Sequence, residues 1–103
     1  EAVAEVDTML RDAGQWVRDI IAIDQRARAY AAKALLDLYN DEWCEDAVLS
    51  QADFVQRLTL ELLTFYPDGS VEMIYDDGDL FWGHVVIVSA ERGPRFTGAD
   101  IAG

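Results

Sequence analysis

Three carboxylates crowd one short segment. The run Tyr75-Asp76-Asp77-Gly78-Asp79-Leu80-Phe81-Trp82-Gly83-His84 sets Asp76, Asp77 and Asp79 around an Asp-Gly dipeptide, then leads through two aromatics to the single histidine. Carboxylates this close can share a hard cation such as Ca²⁺ or Mg²⁺, or one can stay protonated beside its neighbours. With His84, the one residue of a type whose unperturbed pKa lies near neutrality, the set has the parts of a metal-dependent enzyme. The competing reading is structural. Asp77-Gly78 fits a two-residue type I′ hairpin loop, where the pair serves the backbone and the carboxylates splay into water. The spacing also departs from the helix-loop-helix Ca²⁺ template, which needs acids at alternate positions and a Glu well downstream. His84 has no second His or Cys at ligand spacing, which disfavours zinc. No motif calls for a cofactor.

A second acidic group breaks a local rule. Asp41, Glu42, Glu45 and Asp46 crowd the C-terminal end of a helical pattern, where the macrodipole disfavours anions. Glu42 and Asp46 are also like charges at i,i+4. A basic partner docking there would explain them; otherwise the helix stops near Asn40 and the acids line a solvated loop. Trp16, Trp43 and Trp82 are candidate interface anchors, although core packing is the commoner role. Cys44 sits between Trp43 and the acids Glu45 and Asp46, which should raise its pKa and dull its reactivity. No catalytic triad, phosphate loop or dinucleotide fingerprint is present.

The elements that must position these residues follow from two periods. Val3, Val6, Leu10, Ala13, Val17 and Ile20 recur at helical spacing, and Gly14 either ends that helix or weakens it. A second series follows, Ile23, Ala27, Tyr30, Ala34 and Leu38, with Asp24 a candidate N-cap that also pairs with Arg28 at i,i+4. A short helix is predicted from Ser50 to about Arg57, with Asp53 completing a capping-box variant and Leu49 and Phe54 as the staple. An antiparallel meander then follows: Thr59 to Tyr66, a Pro67-Asp68-Gly69 turn, Ser70 to Tyr75, the Asp77-Gly78 loop, Leu80 to Ala90, and a final strand from Phe96 to Ala102. The fold class is α+β, N-terminal helices packed on a C-terminal meander of three to four strands.

Turn lengths set the expected register. Leu63 faces Met73, Asp76 faces Asp79, Met73 faces Trp82 and Val71 faces His84. His84 then falls among Trp82, Val86 and Val71, where a lone His is more often a hydrogen-bonded core residue. Opposed Asp76 and Asp79 would cost up to ~1 kcal/mol against a neutral pair. Both sheet faces come out largely apolar, so the second needs a cover: the short helix, a second copy of the chain in a homodimer, or sequence absent from this chain.

Composition bounds the partners. The chain has 103 residues and a net charge of −12, from 20 acids against 8 bases. That length suits a single domain, a helical half at 1–57 and a meander at 58–103. The 51% hydrophobic content argues against disorder. Phosphate contact needs clustered Lys and Arg, so nucleic acid and an anionic membrane surface are poor partners. A basic protein suits the charge. One cysteine permits no intrachain disulfide, which fits a cytoplasmic location.

Arg57-Leu-Thr-Leu-Glu61, Phe65-Tyr-Pro-Asp-Gly-Ser70, Tyr75 to His84 and the closing Ala99-Asp-Ile-Ala-Gly103 together resemble an uncharacterised bacterial family, domain of unknown function 2262. Tyr39-Asn-Asp-Glu-Trp43 is similar to its helix end, and the resemblance spans about Tyr30 to Gly103. It implies further sequence before the helix, so the chain reads as a piece of a longer protein, and it transfers no catalytic role to any residue. Two functions stay in view. One is an acidic interaction module that binds a basic partner through the two acidic groups, Trp82 and His84, of which antitoxin- or immunity-type neutralisation is one concrete version. The other is the metal-dependent enzyme.

Overall fold

Apolar residues recur every third or fourth position in the first half of the chain and every second position in the second half, and the elements follow that change. The computed structural model describes residues 2–44, 48–91 and 93–102, with side chains from residue 7 onward except Met9. Glu45 and Asp46 therefore lie outside the described residues. Helix α1 spans Ala2–Arg18 and α2 spans Ile20–Leu38. The break falls at Asp19, not at Gly14, which stays inside α1. One interior glycine costs about 1 kcal/mol, too little to end a helix of 17 residues. Asp24 is not an N-cap either. It lies one turn inside α2, where both its oxygens accept Arg28 Nε at 3.0 Å and Oδ1 accepts the Tyr75 hydroxyl at 2.6 Å.

The helical path does not stop at Asn40. A π-helical turn, Tyr39–Trp43, continues directly from α2 and closes with Cys44 N–H donating to the Tyr39 carbonyl at 2.8 Å. Asn40 spends its side chain on the next segment. Its Nδ2 donates to Leu49 O at 3.2 Å and its Oδ1 accepts Leu49 N–H at 3.0 Å. Helix α3, Gln51–Arg57, begins where its capping signals place it, with Ser50 Oγ accepting Asp53 N–H at 3.2 Å.

Strands β1 (Thr59–Phe65), β2 (Val71–Asp76), β3 (Val85–Glu91) and β4 (Arg95–Ala102) form an antiparallel meander in the order β1-β2-β3-β4, giving an α+β fold with its helices N-terminal. Three cross-strand rows face the helices: Leu60–Tyr75–Val86–Ile101, Leu63–Met73–Val88–Ala99 and Phe65–Val71–Ala90–Phe96. A bulge between Leu60 and Leu62 turns Leu60 inward to join the first row. Buried Ala27 and Ala31 let α2 approach this face closely, and Trp16, Ile23, Phe54 and Leu58 are among the other buried residues of the core. Arg28 ties the layers together. Its Nη1 donates to the Val55 and Leu58 carbonyls at the end of α3, and its guanidinium lies over the Tyr75 ring.

The β1–β2 register is the expected one, Leu63 opposite Met73. The β2–β3 register is not. Met73 faces Val88 rather than Trp82, Val71 faces Ala90 rather than His84, and Asp76 faces Val85 rather than Asp79. A slip of six residues is even, so every strand residue keeps its face and the alternation pattern cannot detect the slip. Strand β3 starts at Val85, and residues 77–84 form a loop. On the outer face, Ile74, Val85 and Ile87 are half-buried and Leu62 is 54% exposed.

Candidate functional site

The loop between β2 and β3 is built on one carboxylate. Asp77 is fully buried at 0% exposure, and both of its oxygens are occupied by backbone donors. Oδ1 accepts Asp79 N–H at 2.9 Å, and Oδ2 accepts Phe81 N–H at 2.9 Å and Gly83 N–H at 3.2 Å. Charged acceptors make hydrogen bonds roughly twice as strong as neutral ones, and three of them offset the desolvation of a buried anion. The backbone coils in three consecutive turns, Leu80 N–H to Asp77 O, Trp82 N–H to Asp79 O and His84 N–H to Phe81 O. Gly78 has φ +57, and a Cβ there would collide with the Arg57 carbonyl. Arg57 also donates to Gly78 O, so α3 grips the loop tip.

This wrapping has two consequences. Leu80 and Phe81 turn into the core, whereas Trp82 is 61% exposed. Asp79 and Trp82 adopt left-handed backbone angles, φ +63 and +59. That region is sterically costly for a bulky aromatic; it persists where the surroundings over-determine it. Asp77 supplies that constraint from within the loop, and a ring contact supplies it from outside. Trp82 packs against Trp43 of the π-helical turn at 4.9 Å between centroids. Trp43 also meets Phe81 at 5.4 Å and His84 at 5.6 Å, and Tyr39 meets Phe81 at 5.7 Å.

The two acidic groups are thereby joined through their aromatic residues. Asp41 and Glu42 sit on the turn that holds Trp43, Asp76 and Asp79 flank the loop that holds Trp82, and all four acids are exposed. The predicted set divides in three. Asp41, Glu42, Asp76, Asp79 and Trp82 face outward. Asp77 is a structural carboxylate, not a surface ligand. His84 is half-buried, paired through Nδ1 with the Phe81 carbonyl and edge-on to Trp43, so it lies neither in the sheet nor beside Val71. Asp76 Oδ2 accepts Gly78 N–H at 3.1 Å.

Sequence reasoning missed the organising role of Asp77, and a signal for it existed. Adjacent Leu80 and Phe81 would point to opposite faces of a strand; a loop that buries both is the alternative. Among the described residues, no group of three or more His, Cys, Asp or Glu is arranged to hold a metal ion. Among those same residues, no helix is long and apolar enough to cross a membrane.

No match was found among curated proteins or among solved structures. The family model described as "Uncharacterized protein conserved in bacteria (DUF2262)" matches residues 2–101. With nearly its whole length covered by that model, the chain belongs to this bacterial family of domain of unknown function 2262.

Proposed function

We propose that this protein is a non-catalytic, acidic interaction module that binds a basic protein partner through the surface shared by the π-helical turn and the β2–β3 loop. One observation carries the reading: Trp82 is held in a costly backbone conformation, exposed, against Trp43 and among four exposed acids. A solvent-facing Trp set among carboxylates complements Arg and Lys side chains, which gain cation–π contact from the ring and charge pairing from its neighbours. Trp and Arg are also the side chains that dominate binding energy at interfaces. A cytoplasmic setting fits the lone Cys44. The acids steer the encounter, and the tryptophan pair sets the lifetime of the complex.

The test uses deca-arginine as probe and follows association against NaCl concentration. Asp41→Asn, Glu42→Gln, Asp76→Asn and Asp79→Asn together should slow association at least tenfold and flatten its salt dependence. A control replacing Asp7, Glu61, Glu91 and Asp100, all exposed, by their amides removes the same charge elsewhere and should bind nearly as wild type. Equal losses in the two variants would assign the binding to net charge and overturn the proposed surface.

A further inference from the structure

Helix α1 carries an apolar stripe that its own sheet does not cover. Leu10, Val17 and Ile21 are 61%, 61% and 76% exposed. With Gly14 between Leu10 and Val17 they follow the heptad spacing of paired helices, and on a helix of 3.6 residues per turn the four fall within about 60° of one another. The stripe runs on across the break at Asp19, because bonds of helical spacing continue through it: Asp19 N–H to Gln15 O at 3.1 Å and Ile23 N–H to Asp19 O at 3.0 Å. Trp16 and Ile23 lie on the other side of the helix and are buried, and Trp16 meets Phe65 of β1 at 6.0 Å, so the stripe faces away from the sheet. At 1.5 Å per residue α1 and α2 together measure about 54 Å, close to the molecule's longest dimension of 52 Å. Helix α1 therefore continues the line of α2 and reaches beyond the sheet.

Charge selects what covers it. A chain of net charge −12 repels its own copies. Exposed Leu62 shares the outer sheet face with Glu72, Asp76 and Asp100, and exposed Trp82 lies among four acids, so both surfaces oppose a second copy. The stripe does not. The exposed charges beside it on α1 are Asp7, Arg11 and Arg18, one acid against two bases. An antiparallel pairing of two α1 helices about a two-fold axis makes the same contact on both copies. Gly14 supplies the seat, since a Cβ there would meet nothing within 4 Å and its absence leaves room for the larger Leu10 side chain of the other copy. With Leu10 over Gly14, residues three further out meet, Val17 opposite Asp7, and Arg18 of each copy comes beside the Asp7 carboxylate of the other. The stripe thus matches itself in shape and in charge.

We infer that α1 is a self-association surface covered by α1 of a second copy, antiparallel, with Leu10 seated on Gly14 and Asp7 paired with Arg18 across the axis. It is separate from the Trp82 surface, and neither depends on the other.

The test measures the mass of the full chain by sedimentation over a range of concentrations. Wild type should pass reversibly from monomer to dimer. Arg18→Asp and Asp7→Arg each set like charges together on both sides of the axis, and each should weaken the dimer about tenfold or more. An equimolar mixture of these two variants should restore near wild-type affinity, because every pair is again acid against base, and so should one chain carrying both changes. That rescue separates the contact from any effect on folding. Val17→Ser with Ile21→Ser, both exposed, removes apolar surface without touching charge and should weaken the dimer to a similar degree. The inference is overturned by a monomer at every concentration, by a dimer that the single variants leave unchanged, or by a mixture and a double variant that stay as weak as the single ones.

Discussion

Two Asp-Gly turns in the same sheet share a contact and differ in everything built on it. In the β1–β2 turn, Asp68 Oδ1 accepts Ser70 N–H, two residues on, at 2.9 Å. In the β2–β3 loop, Asp77 Oδ1 accepts Asp79 N–H, also two residues on, at 2.9 Å. Asp68 is exposed, and its turn spans the short gap that Pro67-Asp68-Gly69 predicts. Asp77 is buried, and its second oxygen gathers Phe81 and Gly83, drawing residues out of the expected strand. The same local motif ends a strand in one case and organises an eight-residue loop, 77–84, in the other. The deciding factor is burial of the carboxylate, and burial is a tertiary property.

The largest effect should separate the two aspartates directly. Asp77→Ala leaves three backbone donors without their acceptor and should cost about 3 kcal/mol. Asp68→Ala should cost under about 1 kcal/mol, because water replaces an exposed acceptor. Urea unfolding of both variants reads the difference, and equal costs would break the contrast.

The glycines sharpen it. Gly69→Ala meets the left-handed penalty of a φ of +92, about 1–2 kcal/mol. Gly78→Ala meets that penalty and the Arg57 carbonyl as well, so it should cost about 1 kcal/mol more, as the peptide must shift. A thermal melt ranks the pair.

A smaller effect, set by pH, reads the core beneath the loop. Burial first, and then the hydrogen bond to Asp24, push the Tyr75 phenol well above its usual range. The unfolded chain loses that proton near pH 10 while the folded chain keeps it, so this contribution to stability is whole below pH 10 and falls as pH rises further. Wild type should therefore lose about 1.4 kcal/mol per pH unit more than Tyr75→Phe above pH 10. Exposed Tyr66 shifts in the same direction through its bond to Glu72, and it is common to both proteins. Parallel pH profiles would contradict the placement of Tyr75. The smallest effect belongs to Trp82→Gly, which loses ring contact with Trp43 but relieves the left-handed strain. Its stability should stay within about 1 kcal/mol of wild type, so any loss of deca-arginine binding reads the surface alone.

Legibility in the sequence followed the range of the interactions. Ser50 with Asp53, Pro67-Asp68-Gly69, and the alternation of Val71, Met73, Val86 and Val88 are local, and each lies where its pattern predicts. Asp24 failed as a cap because its partner, Tyr75, is 51 residues away. Asn40 failed as a stop because Leu49, nine residues on, takes its side chain. The candidate surface was half legible: Asp41, Glu42, Asp76 and Asp79 are exposed as charge patterning suggests, while the Trp43–Trp82 contact that joins them is tertiary. Asp77 was misread because an even slip of register leaves the apolar alternation untouched.

Amide hydrogen exchange at Phe81 and Gly83, read beside cross-strand contacts of Met73, tests the central claim most directly. If Asp77 builds the loop that displays Trp82, both amides are protected like strand amides in wild type and lose that protection in Asp77→Ala, and Met73 shows its cross-strand contact to Val88. Fast exchange at both amides in wild type, with Met73 in contact with Trp82, would restore the simple hairpin and contradict the account.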